Sequence, residues 1–251
     1  REVLEGFASR IGRNHDVARA LWESGIHEAR LLATMTADPA RLSAKDLDLW
    51  VRALDNHVIA DAFARLAAQS PHALLKADEW IGSKEEWISS AGWSVIYAQV
   101  VGDGLLPPER TRPEADLPRL LARIEREIHA APDRTRYSMN SALIGIGMRS
   151  NALEQQAVTV ARRIGPVAAD RGSADGRTLD AASHIPRARK YAAARQATAQ
   201  KQVAPVAAPA GKAAVAASAK LASKPAAKRA LKARPTRSPK LGSAKKLPVR
   251  R

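Results

Sequence analysis

The chain has 251 residues, with 41 Lys and Arg against 25 Asp and Glu, and no cysteine, which excludes disulfides and thiolate metal centres. Its longest mainly apolar stretch, about nine residues at 93–101 with Ser94 and Gln99 within it, falls far short of the ~20 that span a bilayer. The formal charge of +16 is unevenly spread: no acid follows Asp180 and residues 187–251 hold 18 Lys and Arg, whereas residues 1–186 carry 23 basic against 25 acidic side chains. No stretch reads as a signal peptide, so the expected setting is the cytoplasm.

Residues 2–11 place Val3, Leu4, Phe7 and Ile11 on one side, which predicts a short helix. Asn14 is suited to cap the next helix, with Asp16 in its first turn complementing the dipole. The organising stretch is Leu21–Met35. Val17, Ala18, Leu21 and Trp22 form an apolar stripe before Gly25, and Ile26, Ala29, Leu32, Ala33 and Thr36 repeat the rhythm after it. Gly25 takes a left-handed helix end without steric cost, so the stretch predicts an antiparallel helical hairpin. Asp38-Pro39 breaks the chain. Ser43 then caps a helix with Leu47, Trp50, Val51 and Leu54 at i, i+3, i+4 and i+7.

Val58, Ile59, Ala62, Phe63, Leu66 and Ala67 form the apolar face of the following helix, and another runs from Ser70-Pro71 to Trp80. Ser83 is expected to cap a long helix to Val101, apolar nearly all round and therefore central. After a Gly- and Pro-rich loop at 102–113, Leu117, Leu120, Leu121, Ile124 and Ile128 recur at helical spacing. Pro132-Asp133 leads into the helix of Tyr137, Met139, Leu143 and Ile146. Leu153, Ala157, Val160 and Ile164 mark a last helix, ended by Gly165-Pro166.

No window alternates as a strand would, so the expected class is all-α. Helix pairs recur every 30–45 residues or so, the spacing of HEAT-type units, which predicts an α-solenoid over residues 1–186 with a face free for a long ligand. Residues 187–251, dominated by Ala, Lys, Arg, Pro and Ser, bury too little apolar surface to order themselves and read as a disordered basic tail.

His57, Asp61 and Arg65 fall at i, i+4 and i+8 on a stripe opposite the apolar face of their helix. They are either a solvated stripe with an Asp–Arg pair worth a few tenths of a kcal/mol or the floor of a binding groove. His27 and Glu28 are adjacent on a helix and do not face each other, which points to a role in packing the hairpin. The six histidines show no metal-ligand spacing, so neither a metal nor another cofactor is expected. Trp22, Trp50, Trp80 and Trp87 read as core. Trp93, on the helix that is apolar all round, is a candidate for DNA contact. Arg136 and Asn140, one turn apart, are candidates for a phosphate and a base edge. Eighteen cations without an anion call for a polyanionic partner: duplex DNA first, then RNA, and no membrane, since the tail has no apolar face. Lys228, Arg229, Lys232, Arg234, Lys245 and Lys246 represent that contact.

The Leu21–Met35 hairpin resembles the DNA alkylation repair family of HEAT-like, AlkD-type glycosylases. So do Leu49-Trp50 with Asp55 through Asp61, the run Arg136 to Gly147, and Arg163 to Val167 with Thr178 to Ala182. The resemblance covers residues 1–186. It implies metal-free excision of cationic alkylated purines such as 3-methyladenine and 7-methylguanine from duplex DNA; separately, a nucleoid-associated monomer is expected. In the family an aspartate stabilises the positive sugar as the glycosidic bond breaks, and Asp61 is the matching position. His57 stands where the family has an aromatic residue four positions before that aspartate. Asn140 and Ala142 stand where some active members place a tryptophan. The alternative is a non-catalytic DNA-binding or scaffold protein on the same solenoid.

Overall fold

The structure, a computed structural model, describes residues 2–102, 106–169 and 178–203, with side chains through 194. Among them eleven α-helices follow one another: α1 (Glu2–Ile11), α2 (His15–Glu23), α3 (His27–Thr36), α4 (Ala44–Arg52), α5 (His57–Ala68), α6 (Ala73–Trp80), α7 (Glu86–Val101), α8 (Leu117–Glu127), α9 (Asp133–Arg149), α10 (Asn151–Ile164) and α11 (Ala181–Val203). These described residues form one compact unit.

Local chemistry sets the boundaries. The Asn14 side chain accepts the Val17 N–H, and Asn56 accepts that of Ile59 at 3.1 Å. Ser43 and Asp46 satisfy each other's backbone N–H groups in a capping box. Gly25 turns the α2–α3 hairpin at φ 72°, in the left-handed region where a side chain would be strained. Ser83 does not cap α7 itself; its hydroxyl accepts the Glu85 N–H in the preceding turn, and the helix begins at Glu86.

The helices stack in two layers. Odd-numbered helices pack side by side in one row from α1 to α11, and α2, α4, α6, α8 and α10 each back onto the odd helix that follows. Such a row of helix pairs is a HEAT-like solenoid. Its core begins with Trp22 stacked on Trp50, ring centroids 4.3 Å apart and 2° from parallel. Phe63 continues the cluster to Trp80 at 5.7 Å. At the centre, α7 carries Gly92, where an added Cβ would lie 2.8 Å from the Ile81 backbone nitrogen; that close approach seats α7 on α6.

Three expectations change. Trp93 is only 1% exposed and belongs to the core, because α7 is covered on several sides by α5, α6 and α9; it is not available to DNA. The apolar side of α1 stays largely uncovered, with none of its residues buried and Val3 70% exposed. The proposed boundary at 186/187 falls inside α11, which runs through Pro186 to Val203. Ile185 is fully buried, and the Arg189 guanidinium donates to the Met148 carbonyl and pairs with Glu154, each at 2.8 Å. Residues 187–203 are mostly Ala, Arg, Lys and Gln, strong helix formers, so the helix propagates once anchored.

Candidate nucleic-acid interface

α5 turns Ile59, Phe63 and Leu66 inward and leaves His57, Val58, Asp61 and Arg65 on the open face of the odd row. Lying between α3 and α7, this stripe forms a ridge with a hollow on either side. The first hollow, about 450 Å³, lies among α1, α3 and α5 and is lined by Leu4, His27, Glu28, Leu31, Met35 and His57 together with the ridge. The second, about 330 Å³, is lined by Ser94, Tyr97, Tyr137, Ser141 and His184 with the ridge. Asp61 and Arg65 border both.

The decisive partner of Asp61 comes from far along the chain. Arg134, in the first turn of α9, donates from its guanidinium to Asp61 Oδ1. The Arg134 side chain is 9% exposed and that of Asp61 40%. The guanidinium also lies over the Tyr137 ring, 4.5 Å from its centroid, and the Arg134 backbone N–H donates to Glu86 Oε1 at 2.7 Å, tying the start of α9 to the start of α7. Arg134 Nε is buried without a hydrogen-bond partner among the described residues. The carboxylate at the middle of the face is therefore held in place and balanced in charge. Among the described residues no group of three or more His, Asp or Glu side chains is placed to share a metal ion.

Helical geometry sorts the other candidates. On α9, Tyr137, Ser141 and Ile144 face the second hollow, whereas Asn140 and Leu143 face residues 165–168 and 178–182. Arg136 is occupied there, donating to the Ala131 carbonyl at 3.1 Å, the Ala168 carbonyl at 2.9 Å and Asp133 Oδ1 at 2.7 Å. Asn140, 3% exposed, donates to the Leu179 carbonyl at 2.9 Å. Both are struts, one to Ala168 and the other to Leu179, rather than contacts for phosphate and base. His57 is exposed beside the first hollow. Lys228, Arg229, Lys232, Arg234, Lys245 and Lys246 lie outside the described residues. Sequence reasoning missed Arg134, Tyr97, Tyr137 and His184, and no local signal marks them, since each reaches the face only through packing of distant helices.

A family model described as DNA alkylation repair enzyme matches residues 1–192. The chain belongs to that family. Its relatives include uncharacterised proteins of Listeria innocua and Listeria monocytogenes, each 28% identical over 182 residues, or 72% of this chain and 76% of theirs. A solved structure also aligns, with a TM-score of 0.67 and 27% identity over 76% of this chain and 80% of the other. It is described as a new family of proteins related to the HEAT-like repeat DNA glycosylases, with affinity for branched DNA structures. Within the DNA alkylation repair family, then, this member carries its central aspartate in an ion pair and a histidine at position 57.

Proposed function

We propose that this protein is a DNA-repair protein that binds branched and distorted duplex DNA across the face of its odd-numbered helices. The cation-rich segment after α11 adds affinity without sequence preference. The observation that carries this reading is the charge balance of the face. DNA carries one negative charge per ~1.7 Å of its axis, so an unpaired carboxylate at the centre of the contact would oppose binding. Arg134 offsets Asp61, and among the described residues lining the two hollows Glu28 is then the one acid left, answered by Arg65. The affinity of the 27%-identical structural relative for branched DNA supports the same partner.

One observation favours a second reading, excision of cationic N3- and N7-alkylpurines. Asp61 stays 40% exposed beside both hollows, and Arg134 donates to its Oδ1. A carboxylate so placed stabilises a cationic sugar as an already positive base departs. The Arg134 guanidinium weakens that field, and position 57 offers an imidazole in place of a larger aromatic, so excision ranks second.

A single preparation tests both. Binding is measured to a four-way junction and to linear duplex of equal phosphate count near 150 mM salt, and free base is quantified after incubation with methylated duplex. Tighter junction binding with no base released above the spontaneous rate is expected. Equal affinity for the two DNAs overturns the first reading. Base release that disappears in Asp61→Asn establishes the second.

A further inference from the structure

The face that carries the two hollows continues along α11. His184 lines the second hollow and, with Ala188, a neighbouring one between α7 and α9. Positions 184, 188 and 191 follow one another at i, i+4 and i+7, so a single stripe of the helix holds all three. Tyr191, the third, is 67% exposed. The helix beneath it is firmly held: Ile185 is fully buried, and Arg189 is bonded to Met148, Asn151 and Glu154. α11 runs on to Val203, and its 23 residues make it about 35 Å long. Tyr191 thus stands on an anchored helix just past the last docked side chain, in line with the open face.

A single exposed aromatic residue is ordinary by itself; its surroundings here are not. Arg187 lies one turn before it on the same side and Lys190 beside it, both exposed. From 187 onward the chain carries 18 cations and no anion, so this part of the molecule is matched in charge to a phosphate backbone. An aromatic ring among cations is the arrangement with which proteins hold unpaired nucleobases, stacking on the base while the cations follow the backbone. Within a duplex the base faces are covered by their neighbours. At a branch, a fork or a single-stranded arm they are open.

We propose that Tyr191 is a base-stacking contact that reads unpaired nucleobases where a DNA branch leaves the odd-helix face, with Arg187 and Lys190 holding the adjoining phosphates. This rests on the DNA-binding reading above and names the feature of branched DNA that is recognised. Stacking supplies the preference for open bases, and the cations supply affinity shared by every DNA.

The full-length protein and its Tyr191→Ala and Tyr191→Phe variants are titrated with a forked DNA bearing two unpaired arms, and with linear duplex of equal phosphate count. The first unpaired base of one arm is 2-aminopurine, whose fluorescence is quenched by stacking. Removing one stacked ring predicts about tenfold weaker binding of Tyr191→Ala to the fork. Its affinity for linear duplex is unchanged, and the quenching given by wild type and Tyr191→Phe disappears. The inference is overturned if Tyr191→Ala binds the fork as wild type does, if it weakens on both DNAs alike, or if quenching is the same in all three proteins. The comparison of wild type on fork and duplex tests the branched-DNA reading separately. A wild type without fork preference refutes that reading, and quenching that survives in Tyr191→Ala refutes the stacking role. Melting curves verify that the variants fold, as expected for a side chain lying on the surface.

Discussion

Asp61→Asn is the obvious test of the central carboxylate, and the structure predicts that it disturbs stability as well as chemistry. The substitution removes the charge that answers Arg134, whose side chain is 9% exposed and whose Nε already lacks a partner. Fully exposed pairs contribute about 0–1 kcal/mol, and stranding one member of a fully buried pair costs about 3–5 kcal/mol. With one partner buried and the other 40% exposed, the cost should be about 2 kcal/mol. For a folded body of this size that lowers Tm by about 4–8 °C. Arg134→Met removes the stranded cation while retaining most of the volume under Tyr137, so the double variant should recover about 1–2 kcal/mol relative to the sum of the singles. Urea unfolding of the four proteins, with midpoints compared at constant m, gives the coupling directly. Additivity within about 0.5 kcal/mol would mean that the pair does not hold the face together, and the charge-balance argument for DNA binding would fall with it. The double variant also provides the proper background for any base-release assay, because it separates loss of the carboxylate from loss of fold.

Other consequences rest on individual side chains. Trp50→Ala dismantles the Trp22–Trp50 stack and opens the core between the first helix pairs; a loss of about 3–5 kcal/mol is expected in urea unfolding, and a cost below about 1 kcal/mol would refute its place in the core. Gly92→Ala forces a methyl to 2.8 Å from the Ile81 nitrogen and should destabilise by about 1–3 kcal/mol, whereas Gly6→Ala in α1, with nothing within 4 Å, should stabilise by up to about 1 kcal/mol; melting curves that rank the two the other way would contradict the packing described. Burial pushes Glu127 up, but hydrogen bonds from Arg123 and Arg126 outweigh it and hold the carboxyl below its ordinary 4.5. Because the folded value is depressed, Glu127 contributes its stability above about pH 4.5 and loses it as pH falls through the folded value; in Glu127→Gln the acid limb of the Tm–pH curve should be shallower. Deleting residues 204–251 removes 13 Lys and Arg and should flatten the log–log salt dependence of DNA affinity, by about 0.9 for each phosphate no longer neutralised; an unchanged slope would show that this segment does not touch DNA.

The sequence alone was enough to determine α1 to α10 and the inward side of most of them. Asn14 and Ser43 cap the helices they precede, Gly25 turns the hairpin, and Leu47, Trp50, Val51, Ile59 and Phe63 are buried where their spacing puts them. These are interactions within about one helical turn, so their energies are set by neighbours in the chain. Which polar side chain is a strut and which faces a ligand was decided only by the tertiary structure. Asp61 acquires its counter-charge from a residue 73 positions away. Arg136 and Asn140 share a helix with Tyr137 and Ser141 but turn toward Ala168 and Leu179, and α11 continues past Arg187 because Arg189 finds Glu154 and Met148. Caps and apolar spacing constrain a helix locally, whereas the role of an arginine or a carboxylate depends on which distant helix packs beside it.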